Sequence, residues 1–147
     1  MNMRTIIVFM AIAILFFTSC DEKSEQSLRY FEVGINGDQE DWRDSAFVVA
    51  TANPQLISKI TDQLKKPVDD RQIVIGDLVS GSGGYNKNAG HTFTWHFKEN
   101  GWDLVDLTVE IYDGRAYSDV DQNPKYWMDT VKRFSPWGSY IKKEIIK

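Results

Sequence analysis

Cysteine usage sets the first limit on this fold. Of 147 residues only one is cysteine, Cys20. No intrachain disulfide can staple the chain, so a hydrophobic core has to hold it together. The setting of Cys20 says more. Arg4 supplies a short positive start, residues 6–17 form an apolar run, and Thr18-Ser19-Cys20 is a small-residue boundary. That order is the grammar of a secretory signal, ending here in a cysteine as bacterial lipoprotein signals do. Residues 1–19 are therefore expected to be removed as a signal peptide. Cys20 would then carry diacylglycerol on its thiol and an acyl group on the new N-terminus. The apolar run falls short of the ~20 residues that a membrane-spanning helix needs. Three acyl chains, by contrast, exceed the requirement for stable membrane attachment.

Residues 20–27 read as the lipidated cysteine and a polar tether, and residues 28–147 as one domain. Serine and acidic residues directly after Cys20 resemble the export signals of Bacteroidota surface lipoproteins. The expected address is the cell envelope, lipid-anchored to the outer membrane. A formal net charge of −4 without a basic run argues against nucleic acid as a partner. With Cys20 acylated, thiolate-ligated metals and cysteine nucleophiles are excluded as well.

Hydrophobic periodicity places the elements. Phe31, Val33 and Ile35 alternate with polar neighbours, predicting a half-buried strand closed by Asn36-Gly37. Residues 47–51 are a continuous β-branched and aromatic run, expected to be a central strand. Asn53-Pro54 predicts a helix start, Leu56, Ile57, Ile60 and Leu64 form its apolar stripe, and Pro67 ends it. Residues 73–79 predict a second buried strand, and the glycines from Gly81 to Gly84 open a flexible loop reaching His91. Two alternating runs, Phe93, Trp95, Phe97 and Val105, Leu107, Val109, Ile111, flank Asn100-Gly101 and predict an antiparallel hairpin. Asn123-Pro124 repeats the helix grammar, with Trp127, Val131 and Phe134 on one face, and residues 140–146 predict a last strand. The expected class is α+β: a largely antiparallel sheet of five to six strands with two helices packed on one face.

Candidate chemistry is sparse. His91 and His96 are the only histidines, and an odd separation on a strand puts them on opposite faces, so they cannot share a metal there. Asp119-Val120-Asp121-Gln122-Asn123 has the alternating oxygens of a calcium loop. Pro124 and Thr130, however, stand where that loop needs glycine and a bidentate glutamate. Ser80-Gly81-Ser82-Gly83-Gly84 lacks the first glycine of a nucleophile elbow and is followed by no helix. Trp95 and Trp127 fit core periodicity, whereas Trp42, Trp102 and Trp137 fall in loops or at strand ends. Exposed aromatics beside Asn100 and Asp103 would suit a glycan.

Several stretches together resemble the BP-seventy-four N-terminal type of small bacterial domain. They are the run from Phe47 to Pro54, Gly81-Ser82-Gly83-Gly84-Tyr85-Asn86, Thr94-Trp95-His96-Phe97, Trp102-Asp103-Leu104, Asp113-Gly114, Tyr126-Trp127 and Phe134-Ser135-Pro136-Trp137-Gly138-Ser139. The resemblance implies a domain type and carries no catalytic residues. It also implies one cysteine before the Asp-Gly pair and another before the Pro-Trp pair; this chain has Tyr112 and Ser135 there.

The expected function is a lipid-anchored, non-catalytic binding module with no cofactor or metal. Its partner would be a protein or a glycan, met at Tyr85, Trp95, His96, Trp102 and Trp137. Two alternatives stand beside it: a small hydrolase using His96 or His91 with a nearby aspartate, and an inhibitor of an exported protease that inserts its glycine-rich loop.

Overall fold

The computed structural model describes residues 26–109 and 111–147. The signal segment and Cys20 lie outside the described residues. The strands are β1 (Arg29–Ile35), β2 (Ala46–Thr51), β3 (Ile73–Ser80), β4 (Lys87–Asn88), β5 (His91–Thr92), β6 (Trp95–Val105), β7 (Arg133–Phe134) and β8 (Ser139–Ile145). Helix α1 (Pro54–Leu64) follows β2, and the short α2 (Pro124–Tyr126) precedes β7.

The fold is mixed α and β, and every strand pair among the described residues is antiparallel. The strands do not form the single five- to six-stranded sheet expected. They are shared among three small sheets, ordered β2-β1-β8, β6-β3-β7 and β4-β5. Side chains tie the two larger sheets together at both flanks. Val74 N–H donates to Ser139 Oγ (3.0 Å) on one side, and the Trp102 indole N–H donates to Ala50 O (2.8 Å) on the other. Between them lies one core, built from Phe31, Val33, Phe47, Val49, Leu56, Ile60, Val74, Phe97, Leu104, Trp127 and Ile141, among others. Trp95 is its hub, with the rings of Phe47, Phe93, Phe97 and Phe134 at 5.3, 5.4, 5.8 and 5.5 Å. These tilted and edge-on geometries are the ones aromatic pairs favour.

Strand β2 is buried throughout yet lies at the edge of its sheet, not in the middle. Phe47 and Val49 enter the main core, while Val48 and Ala50 pack beneath Tyr85. Its outer backbone edge is answered by side chains: Val48 N–H donates to Asn86 Oδ1 (2.8 Å), and Ala50 O accepts from Trp102. That pairing covers an edge that would otherwise invite another strand.

Helix α1 forms as its sequence dictates. Asn53 Oδ1 accepts from Gln55 N (3.0 Å) and Leu56 N (3.3 Å), and Pro54 takes the first helical position. The second expected helix is different. Only α2 is α-helical; Trp127–Val131 continues as a π-helical turn and ends at Lys132, whose φ of 65° is left-handed. Asn123 makes no cap bond, and its Nδ2 donates instead to Asp119 O (3.3 Å). Phe134, expected on that helix, belongs to β7.

The predicted hairpin also fails. Both halves of 95–105 pair with β3, not with one another. Leu107 and Val109, expected to be dry, are each 83% exposed. The connector after β3 is fixed in place by the buried Asn86, which accepts from Val48 N and donates to Trp95 O (2.8 Å).

Candidate functional site

The register of β6 on β3 creates a cleft. Gly76 stands opposite Trp102 and Leu78 opposite Phe97. Lys98, Glu99, Asn100 and Gly101 therefore share a single facing residue, Asp77. The Asn100-Gly101 pair does not reverse the chain: it lies in a bulge inside a strand that keeps its direction and its partner. The bulge is tight at Gly101, where a Cβ would sit 3.1 Å from Lys98 Cβ and 3.2 Å from Asp77 Oδ2.

Two elements wall this bulge beyond its partner strand β3. Strand β7 pairs with β3 at the same height and sets Arg133 Nε 3.3 Å from Asp77 Oδ1. The first turns of α1 bring Asn53, Gln55 and Lys59 from the other side. Lys59 Nζ reaches Asp103 Oδ1 at 2.6 Å and Leu104 O at 3.3 Å. Together with Asn100 and Trp102 they enclose about 410 Å³, a size suited to a small ligand. Two cations face two carboxylates, so the walls are formally neutral. Burial pushes the Asp103 carboxyl up, but the Lys59 ammonium and the Leu104 amide outweigh it and hold its pKa below the usual value.

The residues singled out from sequence divide between several places. Asn100, Trp102 and Asp103 meet on this cleft. Trp102 is only 5% exposed, however, and offers no open ring face. Trp95 is wholly buried at the core hub. Trp137 is exposed elsewhere, its indole N–H donating to Thr108 O (3.0 Å). Tyr85 and His96 stack edge to face at 5.6 Å beneath the glycine loop. A Cβ on Gly83 would lie 2.7 Å from Tyr85 Cε1, so the loop rests directly on these rings. Tyr85 Oη donates to Phe97 O (3.1 Å) and lies 3.3 Å from Glu99 Oε1; burial, with Glu99 adding, pushes its pKa well up. His96 Nδ1 donates to Gly81 O (2.6 Å), because a carbonyl can only accept, and Nε2 faces Glu99 Oε1 at 3.8 Å. His96 is thus a buried support for the loop.

The other histidine has an aspartate partner. His91 Nε2 lies 2.9 Å from Asp121 Oδ2, and Asp121 Oδ1 accepts from Thr94 N (2.6 Å) and Thr94 Oγ1 (2.8 Å). The imidazole is held edge-on by Phe93 and Tyr117 and borders a shallow hollow with Trp42, Arg43, Ala89 and Gly90. The calcium-loop reading dissolves here, since Asp119 accepts from Arg115 N while Asp121 turns to His91.

Sequence reasoning missed Asn53, Gln55, Lys59, Asp77 and Arg133 as neighbours of one cleft. Asn100-Gly101 is the one local signal, and taken alone it spells a hairpin turn. Compared with known proteins, the chain matches no curated protein and no solved structure. It does match the model of the BP-seventy-four N-terminal domain over residues 27–147. The chain belongs to the BP-seventy-four N-terminal domain family.

Proposed function

We propose that this protein is a non-catalytic binding module, tethered to the cell envelope through acylated Cys20, whose bulge cleft takes a neutral, hydroxyl-rich ligand such as an envelope glycan. The supporting observation is the charge-balanced lining. Asp77 and Asp103 offer acceptors, Lys59 and Arg133 offer donors, and the amides of Gln55 and Asn100 offer both. A neutral polyol satisfies such a set without adding a net charge. Calorimetric titration of soluble envelope glycan fragments tests the reading. Saturable heat that Asn100→Ala abolishes supports it, and heat unchanged by that substitution refutes it.

A second reading draws on the His91–Asp121 contact. An imidazole oriented by a buried carboxylate is the arrangement of a general base. The hydroxyl of Ser118 is engaged elsewhere, donating to Asp44 Oδ2 (2.6 Å). Activated ester substrates separate the readings: turnover lost in His91→Gln favours a hydrolase, and turnover indifferent to it removes that option.

A further inference from the structure

Three aromatic rings crowd together away from the bulge cleft. Tyr112 lies 6.0 Å from Tyr126 and 5.9 Å from Trp127, and Tyr126 lies 6.5 Å from Trp127. Their planes are inclined at 81°, 51° and 84°, so the three faces are not parallel. With Asp119 and Asn123 they line a pocket of about 280 Å³. Trp127 is buried and forms its back wall, whereas Tyr112 and Tyr126 are 63% and 43% exposed. Core packing does not account for two large rings standing in water beside a third.

The backbone around the pocket is unusual in the same places. Tyr112 has a φ of 61°, a left-handed conformation that is uncommon for a bulky non-glycine residue and collects at ligand clamps. Asp119 comes from the π-helical segment Ala116–Asp121 and Trp127 from the second such turn. Short π segments are frequent at functional sites. The chain's own cations near the pocket are directed to other acids. Arg115 lies 3.8 and 3.9 Å from Glu40 and Asp113, and Lys125 pairs with Asp129 at 3.1 Å. Among the described residues, the Asp119 carboxylate accepts from the Arg115 amide alone (2.8 Å). Asn123 uses its Nδ2 on Asp119 O, which leaves Oδ1 as an acceptor.

We propose that Tyr112, Tyr126 and Trp127 form an aromatic cage for an organic ammonium group, with Asp119 as its counter-charge and Asn123 Oδ1 as an acceptor. Ring faces attract a cation through their quadrupole, and quaternary and alkyl ammonium groups are the ligands such cages take. A metal ion fits the lining poorly, because one carboxylate and one amide cannot supply the six to eight oxygens calcium requires. The state of Asp119 agrees with this. Burial raises its pKa and the Asp113 and Asp44 carboxylates add to that, against the opposing Arg115 amide and the charge of the Arg115 guanidinium; an entering cation would offset the rise further.

The test is an NMR titration of the protein with choline, with ethanolamine and with 3,3-dimethylbutanol, the neutral isostere of choline. The cage predicts saturable shifts of the Trp127 indole and the Asp119 amide with the two cations and none with the alcohol. Tyr126→Leu and Tyr112→Leu each weaken binding roughly tenfold, Tyr126→Phe retains it, and Asp119→Asn weakens it to a similar degree. Unchanged dispersion elsewhere in each spectrum shows that the variants fold. Equal shifts with the alcohol, leucine variants that bind as well as the parent, or no saturable shift would each overturn the proposal. Vesicles of phosphatidylethanolamine distinguish the source. Binding to them as well as to free ethanolamine assigns a lipid head, and binding to free ethanolamine alone assigns a soluble amine.

Discussion

The indole N–H of Trp102 donates to Ala50 O at 2.8 Å, joining the floor of the bulge cleft to the outer edge of β2. One residue therefore serves two ends. It pairs a carbonyl on a sheet edge that no strand among the described residues covers, and it fixes the height at which β6 leaves the Asn100-Gly101 bulge. The cleft depends on this junction: Trp102 faces Gly76 in the ladder, and the next residue of β3 is Asp77, which pairs with Arg133.

Gly76 should tolerate no side chain. A Cβ there would lie 2.5 Å from the Phe97 ring, which is fully buried in the aromatic core. Gly76→Ala is expected to cost about 1–3 kcal/mol through overpacking. Gly90, whose Cβ would meet nothing within 4 Å, is the control, and Gly90→Ala should stay within about 0.5 kcal/mol of the parent. Urea denaturation of both variants measures the contrast.

Asp44 holds the start of the segment Ala116–Asp121. It is 1% exposed, its Oδ1 accepts from Tyr117 N (2.7 Å) and Ser118 N (2.9 Å), and its Oδ2 accepts from Ser118 Oγ. Asp44→Ala strands two amides and should destabilise by roughly 3 kcal/mol, whereas Asp44→Asn keeps one acceptor and should lose less. Thermal unfolding of the two variants reads the order.

Asp119 predicts a pH signature. Its folded pKa lies above the unfolded one, so its protonated form favours folding. That contribution is complete below the unfolded value and is lost as pH rises through the folded value. Asp119→Asn should therefore raise Tm at neutral pH, and the gain should vanish by about pH 3. A gain independent of pH would point to packing and not to charge.

Ser135 is a position where the family resemblance implies cysteine. Its Oγ is buried without a hydrogen-bond partner among the described residues. Ser135→Ala removes that unmet hydroxyl and is expected to be neutral or to stabilise by about 1 kcal/mol. Urea midpoints at constant slope decide it.

Local chemistry was legible in the sequence, and pairing between distant segments was not. Helix α1 could be read because its cap, its first-turn proline and its stop all lie within fifteen residues of one another. Phe93, Trp95 and Phe97 alternate, and they are buried as alternation requires. The stretch from Val105 to Ile111 alternates equally well, yet Leu107 and Val109 face water. Alternation records competence for a strand, and the partner comes from elsewhere in the chain. Asn100-Gly101 shows the same limit. Read alone the pair spells a reversal, but whether it makes a hairpin or a bulge depends on β3, more than twenty residues earlier. The cleft gathers Lys59, Asp77, Asn100 and Arg133 from four separate segments, and no spacing between them is characteristic.

The bulge cleft as a glycan site is tested most directly by an amide and indole NMR titration of the protein with envelope glycan fragments. A glycan in the cleft should place the largest saturable shifts on Asn100, Gly101 and the Trp102 indole, and Asp77→Asn should weaken binding without altering the remaining spectrum. Glycan binding that leaves those three signals in place, or that survives Asp77→Asn unchanged, would contradict it.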